Sequence, residues 1–104
     1  MLTEIALDMV SAKEVLGQLS RGDGSSMRHL EKMIENDAFP PDELRAAFRQ
    51  YCVIHAASCS QRMQDPALGI GQRAQMQHEI DRAVETIGKI DEGQERIMYL
   101  GIPF

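Results

Sequence analysis

The sequence predicts an all-α fold: a small four-helix up-and-down bundle with two short and two long helices, in one domain over residues 1–104. Three observations predict it. Apolar residues recur at spacings of three and four along most of the chain. Turn residues interrupt that pattern near residues 20–26, 36–41 and 65–71. No segment alternates apolar with polar residues over a strand's length; the β-branched pair Val53-Ile54 lies inside a longer helical pattern.

The first helix is expected at about 4–20. Its stripe is Leu2, Ile5, Met9, Ala12, Leu16 and Leu19, with Thr3 as cap and Glu4 and Asp8 near the positive first turn. The run Ser20-Arg21-Gly22-Asp23-Gly24-Ser25-Ser26 stops it. A second, short helix over about 26–37 carries Met27, Leu30 and Ile34, flanked by Met33 and Ala38, and fades at Asn36-Asp37. Phe39-Pro40-Pro41 forbids its continuation, because a residue before proline avoids the α region.

Pro41-Asp42-Glu43 opens the third helix: proline suits the first turn, and two acids sit at the positive end. It is expected to run to about 64, where Asp65-Pro66 ends it. Leu44, Phe48, Tyr51, His55 and Ser58 mark one face; Ala47, Ile54 and Ala57 lie beside it. From Gln72 the spacing resumes through Met76, Ile80, Ala83, Ile87, Ile90, Gln94 and Ile97, with a bend or end foreseen near Gly93. The long helices measure roughly 36 Å against roughly 25 Å and 18 Å for the short ones, at 1.5 Å per residue. A monomer would leave part of the long hairpin uncovered, so a homodimer or constitutive partner is expected.

Composition narrows the function. Eleven Lys and Arg face sixteen Asp and Glu, a net charge of −5 with His neutral, and that sign opposes binding to a phosphate backbone. The hydrophobic fraction of 43% is that of a globular chain, which argues against disorder. No apolar run is long enough for a membrane span, and Met1-Leu2-Thr3-Glu4 has neither the basic nor the apolar region of a secretory leader. With two cysteines, a reducing cytoplasm is expected. A DNA-reading helix-turn-helix is rejected: the linker 36–41 is too long, and Asp42 and Glu43 would meet the phosphates.

Cys52, His55 and Cys59 form the sharpest chemical constellation, at i, i+3 and i+7 of the third helix. Thiolate and imidazole are zinc ligands, and His29 or His78 could supply a fourth. One straight helix holds i and i+7 about 10 Å apart, too far to chelate one ion or to form a disulfide. Neither cysteine stands at a helix N-terminus, where a nucleophilic thiolate is stabilised. Glu-x-x-His is absent at all three histidines, and Arg82 replaces the second histidine of a zinc-protease helix at His78-Glu79. The Gly-rich segments 22–24 and 69–71 lack the Lys-Ser/Thr ending of a phosphate loop. No cofactor, no metal and no catalytic residue is therefore expected, and an enzyme using the Cys52/His55/Cys59 face stands as an alternative.

The C-terminal run holds six apolar residues among its last eight: Ile97, Met98, Tyr99, Leu100, Ile102 and Phe104. Gly101 and Pro103 prevent a helix there, so the tail either folds back on the core or forms a self-association or partner interface anchored by Tyr99 and Phe104. The function expected is a non-enzymatic regulatory module that captures and inhibits a partner protein, with an antiactivator of a transcriptional regulator as the favoured form. A structural or assembly subunit, or a secretion chaperone, is the alternative.

Overall fold

A computed structural model describes residues 12–104. Four helices carry these residues: α1 over 12–20, α2 Met27–Glu35, α3 Pro41–Arg62 and α4 Ile70–Asp91. The fold is all-α apart from one small hairpin, β1 Met98–Tyr99 and β2 Ile102–Pro103, paired antiparallel with Tyr99 opposite Ile102. That hairpin corrects the expectation of no strand. Leu2, Ile5 and Met9 of the first apolar stripe lie outside the described residues.

Helices α1, α2 and α4 end alike. Gly22, Asp37 and Gly93 each adopt positive φ just beyond the helix. The pairs Gly22 N–H to Leu19 O with Asp23 N–H to Gln18 O, Asp37 to Ile34 with Ala38 to Met33, and Gly93 to Ile90 with Gln94 to Lys89 are Schellman closures. Gly93 thus ends α4 at Asp91, and the helical stripe does not continue through Gln94 and Ile97 as the spacing suggested. The helix also begins earlier than Gln72, at Ile70, where the Gln72 side chain accepts the Gly69 N–H at 3.1 Å.

Helices α3 and α4 are antiparallel. Arg49 on α3 meets Asp91 at the end of α4, while Cys59 meets Glu79 near its start. Arg73 fastens the turn between them, donating to the carbonyls of Met63, Asp65 and Leu68. The core gathers at the other end of this pair. Ala12, Val15 and Leu19 of α1, Leu30 of α2, Phe39, Leu44, Ala47, Phe48, Tyr51 and Cys52, Ala83 of α4, and Tyr99 and Ile102 of the hairpin pack into one cluster. Val15 and Thr86 are buried although the apolar stripes omit them; Thr86 satisfies its hydroxyl on the Arg82 carbonyl at 2.8 Å. The radius of gyration is 15.3 Å, against about 13 Å for a compact chain of this length.

Candidate functional site

Two places carry features beyond packing: the C-terminal hairpin and a polar triad between α3 and α4. Ile97 and Phe104 exchange both backbone hydrogen bonds, at 3.1 and 2.9 Å, extending the ladder from Tyr99 and Ile102. Leu100 and Gly101 both have positive φ, 52° and 79°, the geometry of a two-residue type I′ turn. Side chains of a strand alternate, and they do so here. Ile97, Tyr99 and Ile102 enter the core, while Met98 and Leu100 point to solvent, 57% and 51% exposed.

The tail therefore folds back on its own chain. Of the six candidate interface residues, Ile97, Tyr99 and Ile102 are core, and Phe104 is half-buried with its ring stacked on Phe48. Tyr99 meets both Phe48 and Tyr51 edge-on, at 6.0 and 6.1 Å. Burial pushes its hydroxyl pKa up, so it stays protonated. Met98 and Leu100 remain exposed, and Met98 lines a groove with Ile34, Glu95, Arg96, Pro103 and Phe104. A second cleft of about 200 Å³ adjoins it, between Ile34, Phe39, Leu44 and Phe104.

The triad differs from the constellation read in the sequence. Cys52 lies in the apolar core, where burial pushes its thiol up to about 12. It does not join the group that could hold an ion. His55 and Cys59, four residues apart, stand on one face of α3, and Glu79 of α4 completes the group. Cys59 Sγ lies 3.7 Å from His55 Nε2 and 3.5 Å from Glu79 Oε2, and these last two atoms are 3.8 Å apart. Tyr51 stacks on the His55 ring, 8° from parallel. The Cys59 side chain is buried; burial and then the Glu79 carboxylate raise its thiol pKa, and the positive charge of Arg62 opposes them. His55 and Glu79 are 26% and 30% exposed, so the triad opens to water on one side. His29 does not join this group, nor does His78, which pairs with Arg82 at 2.8 Å. Glu79 was missed because no local spacing ties α4 to α3; only the packing of the two helices sets it opposite Cys59.

No protein-family model, curated protein or solved structure matches this chain. None of the described helices is long and apolar enough to cross a membrane.

Proposed function

We propose that this chain is a non-enzymatic regulatory module of the cytoplasm, which captures a partner protein at the hairpin tip and blocks that partner's activity. The favoured target is a transcriptional regulator, held away from its dimer or its DNA by an antiactivator. In this reading the four helices run up and down, and a homodimer covers the length of the α3–α4 pair that the core leaves bare. Val53, Ile70 and Val84 are exposed along that pair, which supports a covering surface there.

Leu100 carries the proposal. It occupies the first central position of a type I′ turn, where glycine or asparagine is favoured because φ is positive. A branched residue there costs about 1–2 kcal/mol. Leucine at a half-exposed tip also forgoes part of the about 1.5–3 kcal/mol that full burial gives. A residue unfavourable on both counts supports a role outside the fold, as the anchor that a partner covers. The net charge of −5 favours a partner whose apolar socket is rimmed with basic residues, and it disfavours direct contact with nucleic acid.

The test is Leu100→Asn. The variant relieves the turn, so its melting temperature stays level or rises, while a partner retained by the wild-type chain from its native host is lost. If the variant retains the same proteins, the hairpin tip is not the capture surface.

A further inference from the structure

We propose that His55, Cys59 and Glu79 form a zinc site that ties α3 to α4. The three ligand atoms make a nearly equilateral triangle of 3.5, 3.7 and 3.8 Å. The circle through such corners has a radius of about 2.1 Å. An ion at or just above its centre sits about 2.1–2.3 Å from all three atoms, which are the bond lengths of zinc to nitrogen, oxygen and thiolate sulfur. The side chains therefore need only small adjustments to close on the ion.

Hydrogen bonding accounts poorly for the same arrangement. An N–H···O bond spans about 2.7–3.2 Å, and the His55 to Glu79 separation of 3.8 Å exceeds it. A thiol at 3.5 Å from the carboxylate is a weak donor. Three donor atoms thus stand within 3.8 Å of one another, joined only by weak sulfur hydrogen bonds.

The chemistry selects the metal. One thiolate, one imidazole and one carboxylate are borderline-soft donors of the kind zinc takes, whereas magnesium and calcium take oxygen alone. A thiolate and a carboxylate neutralise a divalent charge. Two ligands come from one turn of α3 and are placed by its i, i+4 geometry; the third comes from α4. Stacking on Tyr51 limits rotation of the imidazole. Three protein ligands leave a fourth position, on the open side of the triad, for water or an exchangeable ligand.

The experiment uses the full chain, stripped with a chelator and titrated with cobalt(II) and then zinc(II). One cobalt per chain is expected, with thiolate-to-cobalt charge-transfer absorption and tetrahedral visible bands that zinc abolishes. Zinc at a hundredfold over Kd raises the melting temperature by about 10 °C. Cys59→Ala removes the charge-transfer band, and Cys52→Ala keeps it. Glu79→Gln, which preserves volume at a partly exposed position, weakens binding at least tenfold and keeps the fold intact if Cys59→Ala does not. The site is refuted if wild-type chain shows neither band nor thermal shift, if Glu79→Gln binds as tightly as wild type, or if Cys52→Ala loses the band instead.

Discussion

The ring of Phe104 stacks on that of Phe48 of α3, 6° from parallel with centroids 4.1 Å apart. Through this contact and the Tyr99 edges, the hairpin closes the core that the helices begin. Phe48 is fully buried and Phe104 half-buried, so their truncations differ. Phe48→Ala is expected to cost about 4 kcal/mol and Phe104→Ala about 2 kcal/mol by urea unfolding. The double variant should fall short of their sum by about 1 kcal/mol, the coupling of a stacked pair. Full additivity in that cycle would show that the stack contributes no more than separate burial.

Gly22 and Asp37 hold equivalent places after α1 and α2, yet substitution should act in opposite directions. At Gly22, with φ of 80°, an added Cβ would lie 2.4 Å from Ile54 Cγ2. Gly22→Ala should destabilise by about 2 kcal/mol or more through backbone and clash together, and Ile54→Ala should relieve part of it. Asp37, with φ of 53°, carries a side chain where glycine is favoured. Asp37→Gly should raise stability by about 0.5–1 kcal/mol. Thermal melts of the three variants and of the Gly22/Ile54 double variant decide the matter; a neutral Gly22→Ala would mean the turn is not held against α3.

Alkaline pH should unfold the protein in a defined window. Burial pushes Cys52 from 9.0 up to about 12, and it raises Cys59, Tyr51 and Tyr99 in the same direction. A raised pKa means that the folded state keeps a proton which the unfolded chain loses. The stability is therefore fully present below about pH 9 and falls as pH rises towards about 12. Cys52 alone should contribute a loss of about 2 kcal/mol by pH ~10.5, at about 1.4 kcal/mol per pH unit. Urea midpoints at pH ~8 and ~10.5 should show a smaller drop in Cys52→Ala than in wild type. Equal drops would show that the core admits the Cys52 thiolate.

By itself the sequence determined what is local. Apolar spacing and capping chemistry located α2 and α3 to within about two residues, and Gly22, Asn36-Asp37 and Gly93 marked the helix ends, because a Schellman closure needs only its own turn. Tertiary structure decided the rest. Two-residue strands are too short to show a period against a helical background, so Ile97, Tyr99 and Ile102 turned inward, and Met98 and Leu100 outward, only once the hairpin lay on Phe48 and Tyr51. Likewise, i, i+4 geometry brings His55 to Cys59, but Glu79 reaches them across twenty residues of chain. That approach depends on the register of α4 against α3, held by Arg49 on Asp91 and by Arg73 on the carbonyls of the turn. Register is a property of two packed surfaces, and no single stretch of residues encodes it.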